Sequence, residues 1–281
     1  MKYRAYLGFS LIELIMVIVI TGVIGTVVVM FLKTPVDQYM NTARRAEMTD
    51  IADTALRRMG RDIRSAVPNS VRLSGNYLEF LPTKTGGRYR ANAAGGTGSC
   101  ALAGDDLDFS IADSCFEIIG APINFVTGDR IVVGSSQADG NLPYNSTAAG
   151  VLRTYTGAAG SKSTVLMTGA AQFPAFANLL GQRFQVVSGT EQAVTYACEN
   201  VGGTINGTGT LKRYWGYGFN VAQVAPPIGG SSALLASNVS NCSISYNAVN
   251  QRNGLVTISL SIMEGGESIR LYQEIHVNNM P

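Results

Sequence analysis

MKYRAYLG, Met1 to Gly8, followed by FSLIELIMVIVITGVIGTVVVMFL, Phe9 to Leu32, decides how this chain is built. The first eight residues are basic through Lys2 and Arg4 and end in glycine, and the next twenty-four carry a single charge, Glu13. As a helix the apolar run is about 36 Å long, against a hydrocarbon core of about 30 Å. With the basic leader held on the cytoplasmic side, the chain after Leu32 is expected on the other. A secretory signal peptide would have a shorter apolar region, about 7–15 residues, ending in an A-x-A-like site. No such site follows here. A plain membrane anchor accounts for length and orientation but leaves Glu13 unexplained.

A carboxylate inside an apolar span costs about 3 kcal/mol even on lenient insertion scales, so it normally has a partner. The uncut chain offers no cation close by on the same helix face. Cleavage between Gly8 and Phe9 would create an α-amine at Phe9, four residues before Glu13. That amine could meet the carboxylate of a neighbouring copy when helices pack side by side. The alternative is a lone glutamate near the headgroups, solvated by water.

The string G-F-S-L-I-E, Gly8 to Glu13, behind a short basic leader and opening a long apolar helix, resembles the class III signal of type IV prepilins and type II secretion pseudopilins. The resemblance implies that a prepilin peptidase cuts after Gly8 and methylates Phe9, and that Glu13 is the assembly glutamate. It implies a single-pass protein of the bacterial inner membrane whose globular domain is periplasmic and reaches the cell surface on assembly. The implied partners are the prepilin peptidase, the inner membrane, and other major and minor pilins that pack through the N-terminal helix.

Beyond the membrane segment, Thr34-Pro35-Val36-Asp37 reads as a helix restart, with Thr34 able to cap and Pro35 suited to the first helical position. One kinked helix and two separate helices both fit. Helical periodicity then runs to Val67 and ends at Pro68-Asn69-Ser70. Val36, Tyr39, Met40 and Ala43 share one face, and Met48, Ile51, Ala55, Met59 and Ile63 share another. The first patch suits neighbouring subunits and the second the globular domain. Arg57, Arg58, Arg61 and Arg64 lie opposite the second patch and read as a solvated face, with Asp53 four residues before Arg57. The stretch ARRAEMTDIADTALRRMGRDIRSAVPNSVR, Ala43 to Arg72, and the ending LYQEIHVNNMP, Leu271 to Pro281, resemble the MshO group of minor pilins from mannose-sensitive haemagglutinin (MSHA) pili, and more broadly the PilW and pseudopilin J groups. Many major pilins place a proline several residues before the position of Pro35. The resemblance spans the first seventy residues and the last thirty.

The remainder reads as β structure. Val71–Leu73 and Tyr77–Leu81 flank Ser74-Gly75-Asn76 as a hairpin, and further strands are expected at Ile131–Val133, Thr164–Met167, Phe184–Val187, Ala193–Ala197 and Ser243–Tyr246. Alternation of Val256, Ile258, Leu260 and Ile262, and of Ile269, Leu271, Ile275 and Val277, with polar residues around Gly265-Gly266 predicts an antiparallel hairpin. One face of it should lie on the helix and the other, with His276, in water. The Gly-, Ser-, Ala- and Asn-rich regions Thr83–Gly104, Ser135–Gly160 and Gly202–Gly209 read as loops. The expected fold is therefore α+β and type IV pilin-like: a leader over 1–8, an assembly helix over 9–67 with 9–32 in the membrane, and one β-rich domain over 68–281.

Cys100, Cys115, Cys198 and Cys242 have no metal-site spacing, and an exported domain favours disulfides. Chain order favours Cys100–Cys115 and Cys198–Cys242 among the three pairings that four cysteines allow. A net charge of +2, with 14% charged residues, argues against a nucleic-acid partner. Gly157 to Ser163 imitates a phosphate loop but has Ser161 where glycine is required. The acids of Gly104-Asp105-Asp106-Leu107-Asp108 lack calcium-loop spacing and read as a solvated turn. His276 is the only histidine, and no serine is placed beside it. No metal, cofactor or enzymatic activity is expected. The cluster Tyr214-Trp215-Gly216-Tyr217-Gly218-Phe219 is either buried under loops or a contact surface for a subunit or glycan.

Overall fold

The structure, a computed structural model, describes residues 8–91, 105–168, 172–179, 181–248 and 253–280. Cys100, Gly104 and the basic leader residues Lys2 and Arg4 lie outside the described residues. The chain divides into two compact units, 1–47 and 48–281.

One helix, α1 (Leu11–Arg64), begins in the first unit and ends in the second. Ser10 opens it: its carbonyl accepts from the Glu13 and Leu14 N–H groups and its hydroxyl from Glu13 N–H at 3.3 Å. Helical geometry passes through Pro35, so the sequence at Thr34–Asp37 is part of one helix. The helix stops at Arg64, three residues before the expected Val67. Ser65 and Ala66 tighten the last turn with bonds to the carbonyls three residues back, and the Val67 N–H goes to the Leu81 carbonyl at 2.8 Å. A sheet partner has taken the donor that another helical turn would need.

In the second unit the strands are β1 (Arg72–Ser74), β2 (Tyr77–Phe80), β3 (Thr83–Tyr89), β4 (Cys115–Ile119), β5 (Ile123–Phe125), β6 (Arg130–Val133), β7 (Leu152–Thr154), β8 (Gly160–Lys162), β9 (Thr164–Leu166), β10 (Arg183–Val187), β11 (Val194–Glu199), β12 (Gly209–Trp215), β13 (Ser231–Ala248), β14 (Asn253–Glu264) and β15 (Glu267–Asn278). They form an antiparallel seven-stranded sheet ordered β1-β2-β11-β12-β13-β14-β15, a six-stranded sheet ordered β7-β6-β10-β3-β4-β9, and the pair β5-β8.

The C-terminal hairpin forms as expected, with Val256 opposite Ile275 and Leu260 opposite Leu271 and left-handed Gly265 and Gly266 at its turn. Met48, Ala52, Ala55, Leu56, Met59 and Ile63 recur at helical spacing and are buried in one core with Leu78, Tyr196, Leu211, Val256, Ile258, Leu260, Ile262, Ile275 and Val277. Ser259, on the polar face of β14, is nonetheless buried, because Arg270 lies over it and donates from Nε to its hydroxyl at 2.7 Å. His276 is exposed, as its place in the alternation requires.

Two expected loops contain regular structure. Thr83–Tyr89 is β3, inside the second sheet, and β7 and a short 3-10 turn at Leu142–Tyr144 lie within 135–160. Glycine at 86 and 87 marks close packing here instead of a turn. A Cβ at Gly86 would fall 2.8 Å from the Phe184 carbonyl oxygen, and one at Gly87 would fall 2.9 Å from Ile123 and 3.0 Å from the Phe184 ring. That sheet packs Tyr89, Phe116, Phe125, Tyr155, Phe173 and Phe184 into a core of its own. A third core unites Val67, Leu81, Leu142, Tyr144, Leu152 and Val187.

Candidate functional site

From Phe9 to Leu32 the first unit presents apolar side chains on every side of the helix. Phe9 is 79% exposed and Phe31 78%, and the most apolar window has no buried residue. A helix apolar all round is stable only where its surroundings are apolar. Apart from the Phe31 carbonyl opposite Pro35, the helix interior hydrogen-bonds within itself, and the threonines are satisfied as well. Thr21 donates to the Val17 carbonyl at 2.6 Å, Thr26 to Gly22 at 2.8 Å and Thr34 to Met30 at 3.3 Å. Length and composition thus make this one helix able to span a bilayer.

Gly8 and Phe9 lie just before the helix and both are exposed. Glu13 sits in the first turn, where the positive end of the helix dipole favours an acid. Its side chain is exposed and has no hydrogen-bond or ion-pair partner among the described residues. Near Pro35 the helix lacks the N–H that would meet the Phe31 carbonyl, and Val27, Met30, Phe31, Thr34 and Pro35 line an open apolar notch there. Val36, Tyr39, Met40 and Ala43 are also exposed within this unit.

In the second unit, Cys198 of β11 is bonded to Cys242 of β13, with Cα atoms 6.2 Å apart. Cys115 is also in a disulfide. Asp105, Asp113 and Cys115 bring three ligand-type atoms within 4.8 Å of one another. The oxidised sulfur cannot serve as a thiolate ligand, and the Asp113 oxygens accept from the Asp108 and Cys115 N–H groups at 2.8 and 3.1 Å. Asp108 accepts from both the N–H and the hydroxyl of Ser110. These carboxylates tie the loop together. Burial, with the charges of Asp113 and Asp106 adding to it, holds the Asp105 carboxyl above its usual range.

The aromatic cluster is half-buried. Tyr214 donates to Glu199 at 2.7 Å, Trp215 packs on the main core with the Arg213 guanidinium 5.4 Å from its ring centre, and Tyr217 shares a 2.6 Å hydrogen bond with Thr195. Burial raises the Tyr217 hydroxyl well above its ordinary pKa. Each of these side chains therefore has an intramolecular role.

Two ion networks, each built around a buried arginine, were not singled out from the sequence. Arg72, 8% exposed, donates to Glu79, 0% exposed, at 2.8 Å, and also to Asn141 and the carbonyls of Asn220 and Val221, while stacking 3.7 Å from the centre of the Tyr144 ring. Burial raises the Glu79 carboxyl and Arg72 opposes that rise. The pairing of Arg72 opposite Glu79 follows from the β1–β2 register. Asp62, Arg213, Glu191 and Tyr196 form the second network. Both networks join loops and elements to the core.

Comparison with known protein families, with curated proteins and with solved structures returns no match to this chain.

Proposed function

We propose that this chain is a filament subunit of the type IV pilin class, a minor pilin of the MSHA type that takes part in pilus assembly or initiation. One observation above all supports the reading. A single helix is apolar and uncovered on all sides in its first half, whereas in its second half it provides the core of a β domain. The first half needs an apolar medium, and a bilayer and a bundle of like helices both supply one. Transfer between them leaves the hydrophobic term nearly balanced, so packing and polar pairing decide assembly. Glu13 is the group suited to that pairing, against the α-amine that cleavage after Gly8 would create at Phe9 of a neighbouring copy.

The same motif and helix fit a minor pseudopilin of type II secretion, and pull-down of pilus or of secretion components separates the two. Presentation at a filament tip, with adhesion through the loops around Trp215, is a further role within the same reading. Coexpression of the full chain with a prepilin peptidase tests the class. A mature chain beginning at methylated Phe9, read by mass spectrometry, is the expected result. An intact Met1 terminus, where a known prepilin is cut, would remove the filament reading.

A further inference from the structure

Strand β15 (Glu267–Asn278) is the outermost strand of the large sheet and pairs on one side only, with β14. Its residues run opposite β14 without a register shift and include no proline and no lysine. It is 12 residues long, whereas β1, β7 and β9, at other sheet edges, have 3 residues each. A long, straight, unprotected edge is a template for a further strand, and proteins normally keep such edges short or covered.

The turn fixes which backbone groups are free. Glu264 and Glu267 flank the two-residue turn as a hydrogen-bonded pair, and bonded and non-bonded pairs alternate from there. Ser268, Arg270, Tyr272, Glu274 and His276 therefore turn their N–H and C=O groups away from β14. All five residues are exposed, and these backbone groups meet no partner among the described residues.

Helix α1 lies beside this edge. At Gly60 it comes so close that a Cβ would fall 2.9 Å from Gln273 Nε2. Gln273 lines an open hollow of ≈ 430 Å³ with Thr54, Arg57, Arg61 and Arg64. The three arginines are exposed and share one face of the helix. Arg57 has an exposed pair with Asp53. Arg61 and Arg64 have no carboxylate partner among the described residues, and every Asp and Glu of the chain is a described residue. The helix dipole favours Arg61 and Arg64 in the last turn, but it falls off before Arg57. Ile275 and Val277 face the helix side of the sheet, as does Gln273. By strand alternation, every second side chain of a strand added to β15 would point to that side, beside Leu271 and Gln273 and into the hollow.

We propose that β15 docks an extended, acidic segment of a partner protein, which joins the sheet as a further strand and turns alternate carboxylates toward Arg57, Arg61 and Arg64. Two independent features select this occupant. The unpaired backbone edge recognises an extended polypeptide, and the arginine row sets the charge of its helix-side residues. A basic segment meets like charges there, and a small anion makes no use of the edge. The proposal goes beyond the filament reading, since it requires neither cleavage after Gly8 nor assembly.

The test uses the full chain in a neutral detergent and a labelled peptide of about ten residues, long enough to cover β15, alternating glutamate with threonine. Two controls carry lysine in place of glutamate, or the glutamates with alternate backbone nitrogens methylated. Fluorescence anisotropy should show binding of the glutamate peptide alone, and hydrogen exchange read by mass spectrometry should slow within β15. The Tyr272 N–H points away from β14, so Tyr272→Pro removes an edge donor and no ladder bond, and it should abolish binding in a folded protein. Arg57→Gln, Arg61→Gln and Arg64→Gln together should weaken binding at least tenfold with unchanged thermal unfolding. No binding of the glutamate peptide, equal binding of either control, or binding without slower exchange in β15 would overturn the proposal. Protection of β15 in the protein alone, rising with its concentration, would assign the edge to a second copy and overturn it too.

Discussion

Tyr196 of β11 donates its hydroxyl proton to Asp62 Oδ2 of α1 at 2.6 Å, joining residues 134 positions apart. The same oxygen accepts from Arg213 Nε at 3.1 Å, and Arg213 also pairs with Glu191. One helical carboxylate thus serves two strands of the large sheet. Arg213 is almost fully buried, and a buried guanidinium that loses a partner costs more than an exposed one. Asp62→Ala should destabilise the domain by about 2–4 kcal/mol, measured by urea unfolding of the full chain in detergent. Asp53→Ala, which removes the solvent-exposed pair with Arg57, should leave the urea midpoint essentially unchanged.

The bond between Cys198 and Cys242 closes a segment with a sequence separation of 44. In the chain-entropy account a loop of that size contributes about 4 kcal/mol by restricting the unfolded chain. The double substitution Cys198→Ala, Cys242→Ala should therefore lower the urea midpoint by the equivalent of about 2–4 kcal/mol. Both sulfurs are buried against the main core, so exposure to a mild reductant should leave the folded protein unchanged. A loss under about 1 kcal/mol would show that native contacts already hold the two strands together.

How much of this architecture could be read from the sequence depends on whether side chains or backbone direct each element. The β14–β15 hairpin is legible because Val256, Ile258, Leu260 and Ile262 alternate with polar residues and glycines fill both left-handed turn positions. Expected strands at Ile131–Val133, Thr164–Met167, Phe184–Val187 and Ala193–Ala197 appear within a residue or two, since each has apolar side chains to bury. β13 is legible only at Ser243–Tyr246, yet spans Ser231–Ala248. Its Ser, Ala and Asn residues are held by ladders to β12 and β14, a source of order that leaves little mark on hydropathy. β3 escapes for a related reason, because its two glycines fit a neighbouring backbone and ring and read locally as a turn. At the N-terminus, the apolar run and Glu13 are fully legible, and no partner for the Glu13 carboxylate lies among the described residues.

Buried tyrosines set the alkaline limit of stability. Burial raises the hydroxyls of Tyr144 and Tyr196 above their ordinary value of 10.0, with Asp62 adding to the effect on Tyr196. In the unfolded chain both ionise near pH 10, whereas in the folded chain they keep their protons. The folded state then binds more protons, so stability is full below pH 10 and falls as pH rises above it. Each such tyrosine contributes a slope of up to about 1.4 kcal/mol per pH unit. Tyr144→Phe removes the 2.9 Å bond to the Ser70 carbonyl, costing about 1 kcal/mol near neutrality. It should also make the decline above pH 10 shallower, seen in urea unfolding from pH 9 to 11.5.

Glu13→Val separates the two accounts of the membrane-half carboxylate. If Glu13 pairs with the Phe9 amine of a neighbour, the substitution leaves insertion and cleavage intact, because valine suits the bilayer better and Gly8-Phe9 is unchanged. The chain should then accumulate in processed form in the membrane while its incorporation into filaments falls at least tenfold, roughly what loss of a buried charge pair of over 1.4 kcal/mol produces. Glu13→Asp should restore part of that loss, since the charge remains and only its reach shortens by one methylene. The disulfide at Cys198–Cys242 and the thermal unfolding of the 48–281 unit should be the same in all three proteins, because Glu13 lies in the other compact unit. Quantitative blotting of sheared filaments against membrane fractions measures the partition. Unchanged incorporation of the valine variant would mean that the carboxylate is merely solvated near the headgroups, leaving apolar packing from Leu11 to Leu32 to drive assembly.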